Sequence, residues 1–269
     1  MDPIKLDEGI HCIHLFYEVD RSLWTSLKRS VREQTRERLA SILQRYPGPA
    51  HPRVMAYANV GGKADFAFLL MHEDLVGVGA MHREIEAAFP AGALHPVYTY
   101  LSVTELPEYV TTEDDMRRMI IGKEGLEPGS EDFDQRLQEM KDHFKKYNHY
   151  RLYPEMPDWE VMCFYPMNKK RDGSDNWYRL NFDTRKKLMA GHAKTGRKYA
   201  GRISQLITGS TGLDDWEWGV TLMAHQVDAV KEIVYEMRFD EVSARYGEFG
   251  EFYINARMTP EQLWEHLKL

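Results

Sequence analysis

The run WEVMCFY, Trp159–Tyr165, decides the reading of the fold, because it restarts a pattern that the chain has already completed once. It reads as a strand. A helix follows that Asp183 can cap and that extends through about Gly201, then strands Ile203–Thr208 and Trp216–Leu222 on either side of Thr211-Gly212. A helix over Val227–Met237 and a strand over Glu251–Asn255 complete the series, and a short helix follows near Pro260–Lys268. The order is β-α-β-β-α-β.

The same order stands upstream. Ile10–Tyr17, IHCIHLFY, reads as a strand, and Ser22 is placed to cap one long helix running to about Arg45, where Pro47-Gly48-Pro49 stops it. Arg53–Asn59 and Asp65–Met71 pair about the turn signal Gly61-Gly62. Leu75–Phe89 has helical spacing and ends at Pro90, and Val97–Val103 is again a strand. Between the two series, from Pro107 to about Asp158, the composition turns polar and charged, with the Lys-rich helical run QRLQEMKDHFKKY and prolines at 154 and 157. The expected fold is α+β: two tandem ferredoxin-like (βαββαβ) units, residues 1–106 and 159–269, joined by a charged connecting segment, 107–158.

A chain of 269 residues, 43% hydrophobic and 29% charged, is of ordinary globular composition and long enough for two cores. The 35 Lys+Arg are interspersed among 42 Asp+Glu for a net charge of −7, which argues against nucleic acid as the main partner. No run of eighteen apolar residues is present and the N-terminal MDPIKLDEGI carries no apolar signal region, so neither a membrane span nor a signal peptide is expected and the cytoplasm is the expected location. Cys12 and Cys163 each sit in an apolar strand-like run and read as small core residues.

Chemistry concentrates in the second unit. In LMAGHAKTGRKYAGRISQ, Leu188–Gln205, helical spacing puts Leu188, His192, Gly196 and Tyr199 on one face. A glycine in a helix interior costs about 1 kcal/mol relative to alanine, so one placed a turn from an imidazole suggests a bulky flat group lying there, such as a haem. A hydrogen-bonded core histidine beside a helix–helix contact is the plainer reading. On the preceding strand, Trp159, Val161, Cys163, Tyr165 and Met167 share a face, and Lys169 joins them if the chain stays extended past Pro166. That would set an oxidisable phenol and an ammonium at the rim of one pocket. Gln205 interrupts the apolar stripe Ile203–Ile207, and a buried amide needs partners. Arg151, Lys169, Lys170 and Arg171 could bind carboxylates, Arg151 through its fork. No dinucleotide, P-loop or nucleophile-elbow motif is present. His11 and His14 are three apart in a strand and point to opposite faces, a poor metal pair.

The stretches YPMNKKR (Tyr165–Arg171), HAKTGRKYA (His192–Ala200), Gln205 and YEMRFDEVSARYGEFGEFY (Tyr235–Tyr253) resemble the chlorite dismutase-like superfamily and, within it, the coproheme decarboxylases of the firmicute type. The close resemblance covers about residues 159–255; upstream it rests on element order and length. It implies a subunit of two ferredoxin-like domains, a homopentamer, and iron coproporphyrin III (coproheme) bound in the C-terminal domain. There hydrogen peroxide drives two oxidative decarboxylations that turn two propionates into vinyls and give haem b through a three-propionate intermediate. By the same resemblance His192 is the iron ligand, Tyr165 the radical-forming tyrosine that acts on the first propionate, Lys169 the lysine needed for the second, and Gln205 the distal amide. Arg151, Met167 and Ser243 fall where that group contacts the porphyrin's propionates. Chlorite dismutases proper carry an arginine at the position of Gln205, which disfavours chlorite chemistry. A haem carrier or sensor, or a chlorite dismutase-like peroxidase, is the alternative on the same fold, and transient contact with a ferrochelatase is a further expectation.

Overall fold

A computed structural model describes residues 2–269. The first unit contains β1 (His11–Val19), α1 (Arg21–Ser26), α2 (Arg29–Arg45), β2 (Arg53–Asn59), β3 (Phe66–His72), α3 (Leu75–Ala88) and β4 (Leu94–Thr104). The connecting segment holds α4 (Glu113–Met119) and α5 (Glu131–Leu152). The second unit holds β5 (Val161–Lys169), α6 (Phe182–Arg197), β6 (Ile203–Gly209), β7 (Trp218–Ala224), α7 (Val227–Met237), α8 (Glu241–Tyr246), β8 (Gly247–Phe249), β9 (Tyr253–Arg257) and α9 (Pro260–Leu267).

The strands of the first unit lie in the order β4-β1-β3-β2 and those of the second in the order β9-β5-β7-β6, so in each the first strand sits between the fourth and the third. This is the ferredoxin-like order expected from the sequence. The two half-sheets join at both ends: Ala58 pairs with Ala256 across β2–β9, and Val103 with Gly209 across β4–β6. The antiparallel sheet therefore closes into a barrel, and β8 is an extra strand beside the end of β5.

Closure explains why so many strands are apolar on both faces. Phe16, Tyr57, Leu69, Met162, Phe164, Leu206, Met223 and Tyr253 fill the barrel interior. The opposite parity of the first unit, including Leu15, Tyr17, Phe66 and Phe68, packs under α1, α2 and α3; that of the second, including Cys163, Tyr165, Val220 and Leu222, faces α7. Covering both faces of a sheet produces the near-continuous hydrophobic strands read in the sequence. Cys12 and Cys163 are both buried, and burial pushes each thiol up to about 12. His14 lies inside the barrel, where Nε2 meets Thr221 Oγ1 at 2.8 Å and the ring stacks on Phe164 at 4.1 Å. Burial pulls its pKa to about 3, so it is a neutral core histidine.

Gly219 marks the tightest point of this interior. A Cβ there would lie 2.5 Å from the Tyr100 ring and 3.0 Å from Thr208 Oγ1. Gly219→Ala is expected to destabilise the protein by about 1–3 kcal/mol through overpacking, read as a lower urea midpoint at unchanged slope.

Several local expectations give way to tertiary detail. The single helix expected from Ser22 to Arg45 is two, because Leu27 and Lys28 both take an extended ψ of 145°; Asp20, not Ser22, caps the first by accepting the Leu23 N–H at 2.8 Å. Asn181, not Asp183, caps α6 through the Thr184 N–H at 2.9 Å. The segment expected as a connector has a core of its own, Met116, Ile120, Phe133 and Leu137, and braces α6 through Lys186–Asp115 at 2.7 Å and Arg185–Glu108. The last helix, α9, packs on the first unit: Trp264 stacks on Trp24 with centroids 5.6 Å apart.

Candidate functional site

β5 runs straight through Pro166 to Lys169, as the side-chain parity of Met167 and Lys169 required. The proline falls where β5 changes partner on one edge, from β9, which pairs as far as Phe164, to β8, which begins opposite Met167. The registers then align one outward face of β5, β7 and β6. Tyr165 lies beside Val220 and Val220 beside Ile207; Cys163 lies beside Leu222 and Leu222 beside Gln205. Tyr165, Met167, Lys169 and Gln205 thus share a face, which two separate strand readings could not establish.

Helix α6 stands over this face in an unusual way: none of its residues is buried. A surface helix of a globular domain normally buries an apolar stripe. Leu188 packs toward Trp177 and Tyr246, and Tyr199, beyond the helix end, joins the core and donates its hydroxyl to Glu236 at 2.8 Å. Gly196 lies in the last turn of α6, not in its middle. A Cβ there would meet Met237 Cε at 3.3 Å and Gln205 Nε2 at 3.6 Å, so the glycine lets the helix end approach the sheet.

His192 is held from behind. Its Nδ1 is 2.9 Å from Asp240 Oδ2, and Asp240 itself caps α8 by accepting the Ser243 N–H at 2.9 Å and the Ser243 hydroxyl at 3.4 Å. Burial works to raise the Asp240 pKa, but the hydrogen bonds from His192 and Ser243 outweigh it and hold the carboxyl below its usual range. An ionised Asp240 can only accept, so Nδ1 carries the proton of this bond, and Nε2, without a hydrogen-bond partner among the described residues, is the nitrogen turned to a ligand. A carboxylate-backed imidazole with a free Nε2 is the arrangement of metal-ligating histidines. Among the described residues no group of three or more His, Cys, Asp or Glu could hold a metal ion. A metal at Nε2 therefore needs its remaining ligands from the ligand itself, as a porphyrin ring provides.

On the sheet face, Tyr165 is 6% exposed and stacks on Phe252 at 4.3 Å. Burial, with a smaller push from Cys163, raises its pKa, so the phenol keeps its proton at neutral pH. Lys169 is 9% exposed, its Nζ 5.0 Å from the Trp177 ring centroid and without a carboxylate within 4 Å among the described residues. Burial lowers it to about 8, against the opposing pull of Asp240 and Glu217. A buried cation without a contact partner is costly, and a ligand carboxylate would relieve that cost. Met167 is partly buried on the same face.

Two further expected residues have partners of their own. Arg151 lies in the last turn of α5, with Nη2 3.5 Å from the Glu105 carbonyl and a buried Nε without a partner, at the β4–β6 side of the face. Ser243 is occupied with Asp240. Sequence reading missed Asp240, Trp177 and Glu217. For Asp240 the signal was present as Asp240-Glu-Val-Ser243, an N-cap pattern at the head of a short helix.

Known proteins share this architecture. A family model described as chlorite dismutase matches residues 32–258. A solved structure of a protein from Thermus thermophilus, described as a novel heme-binding protein, is 36% identical, with a TM-score of 0.77, over 100% of this chain and 98% of that one. A mutant chlorite dismutase from Candidatus Nitrospira defluvii superposes with a TM-score of 0.71 at 16% identity, over 98% of both chains. The chlorite dismutase of the same organism in complex with imidazole gives 0.70 at 15% identity, over 98% of this chain and 97% of that one. These last two share the fold.

Proposed function

The chain belongs to the chlorite dismutase family, and from that premise we propose that it decarboxylates iron coproporphyrin III oxidatively, with hydrogen peroxide, to haem b. Each step removes a propionate's carboxyl as CO2 together with one β-hydrogen, leaves a vinyl, and reduces one peroxide to two waters. The iron porphyrin, when bound, supplies the reaction with peroxide at its metal.

The chain's own residues have separable tasks. His192 holds the iron through Nε2, and Asp240 fixes its tautomer and basicity. Tyr165, protonated and shielded from water, is the group that can give up an electron and a proton and would then take the hydrogen from the first propionate. Lys169 binds the carboxylate of the second. Gln205 would offer a neutral amide to the bound porphyrin, Met167 would line its propionate end, and Arg151 would supply a cation from the β4–β6 side. The observation that carries this reading is the shared face: an oxidisable phenol and a buried ammonium without a carboxylate partner among the described residues lie on one sheet surface that also carries Gln205, which the end of the helix bearing His192 approaches. A carrier needs only the imidazole. Assembly as a homopentamer belongs to the same reading and is tested by the mass of the particle in solution.

Titrating peroxide into the coproheme complex and resolving the porphyrins chromatographically tests it; appearance of a three-propionate species before haem b is the expected course. Asp240→Asn is expected to cut coproheme affinity or turnover by about 10–100-fold, the usual cost of removing a histidine's carboxylate partner, measured by Soret titration and initial rate.

A further inference from the structure

Glu217 is a buried carboxylate that the chemistry above leaves without a role. Its side chain is 8% exposed, between Trp216 and Trp218 at the entry to β7. The carboxylate accepts the Lys169 backbone N–H at 3.1 Å, and its own backbone N–H donates to Asn168 Oδ1 at 2.8 Å. The Tyr178 phenol faces it, and Arg171 Nη2 lies 3.6 Å away. Arg171 is 62% exposed, so its charge is largely screened by solvent and leaves much of the carboxylate's field uncompensated toward the interior. The clamp grips Asn168 and Lys169, the last two residues of β5.

We propose that Glu217 is a positioning residue that fixes Lys169 at the end of β5 and keeps it an ammonium ion. The proposal rests on the decarboxylase reading only for what Lys169 does once charged. The groups facing Lys169 are Asp240 from the head of α8 and Glu217 from the head of β7, with Trp177 beneath the ammonium; Arg171 and Tyr178 act through Glu217, and His192 through Asp240. Asp240 is the stronger of the two anions, but His192 and Ser243 already hold it. Glu217 is the anion bonded to the lysine's own backbone.

Competitive labelling of the porphyrin-free protein with acetic anhydride, quantified by peptide mass across pH, reads the Lys169 charge directly. In the native protein the Lys169 midpoint is expected at about 8. Glu217→Gln is expected to lower that midpoint by about one pH unit, which raises labelling at pH 6 about tenfold, while Glu217→Asp keeps the charge and the native midpoint. A Glu217→Gln protein with the native Lys169 titration would overturn the proposal. Should that variant not fold, Tyr178→Phe serves in its place: without the phenol dipole facing the carboxylate, more of the Glu217 field falls on Lys169, and labelling at pH 6 should fall about twofold; an unchanged value overturns the proposal equally. With coproheme and peroxide, Glu217→Gln should slow only the second propionate loss, about fivefold at pH 8 and little at pH 6. Failure of any conversion by the native protein would count against the decarboxylase reading and leave the labelling result standing.

Discussion

Tyr165→Phe is expected to bind coproheme and fail to decarboxylate it. The phenol is 6% exposed and its oxygen makes no hydrogen bond with another described residue, so removing that oxygen should change porphyrin affinity by less than about tenfold. What disappears is the phenol of that face, the group suited to pass an electron and a proton together. Burial raises the Tyr165 pKa, so between pH 6 and 9 the native phenol is protonated and conversion should not gain from added alkali through this residue. Lys169 points the other way. Its lowered pKa, about 8, means that the ammonium is lost as pH rises through that value, and the second propionate loss should fall with it while the first persists. Normal turnover by Tyr165→Phe, with porphyrin mass as the readout, would remove the phenol from the mechanism.

The largest expected effect on stability lies far from the site. Trp264→Ala should destabilise the protein by about 3–5 kcal/mol, the usual range for truncating a buried tryptophan. The ring is 4% exposed, stacks on Trp24 with planes 6° apart, meets Phe66 edge-on at 5.3 Å and lies under the Arg36 guanidinium at 5.8 Å. Its helix is further tied by Arg21 to the Leu267 carbonyl at 2.7 Å and by Arg36 to that of Leu269. Because α9 follows the second unit in the chain but packs into the core of the first, its loss should loosen both. Urea unfolding followed by tryptophan fluorescence measures the change; a loss below about 1 kcal/mol would mean that α9 is a loose appendage.

The fold was legible because each βαββαβ series carries its own strand alternation and turn glycines, and those signals are local. Barrel closure was not: the pairings Ala58–Ala256 and Val103–Gly209 join residues that no local pattern relates. The site divides in the same way. Parity on β5 put Tyr165, Met167 and Lys169 together, but the alignment with Gln205 passes through Val220 and Leu222 of a third strand. The role of Asp240 needed the approach of α8 to α6, which also joins Ser243 to the carboxylate behind His192. Helix breaks at Leu27-Lys28 and caps at Asp20 and Asn181 escaped notice because neighbouring residues could cap equally well.

The central claim is that this chain turns coproheme into haem b, and the mass of the bound porphyrin during a stepwise peroxide titration tests it most directly. Two successive losses of one CO2 and two hydrogens, one for each equivalent of peroxide, are the predicted result. Coproheme that binds at His192, shows its Soret band and keeps its mass through the titration would contradict the claim.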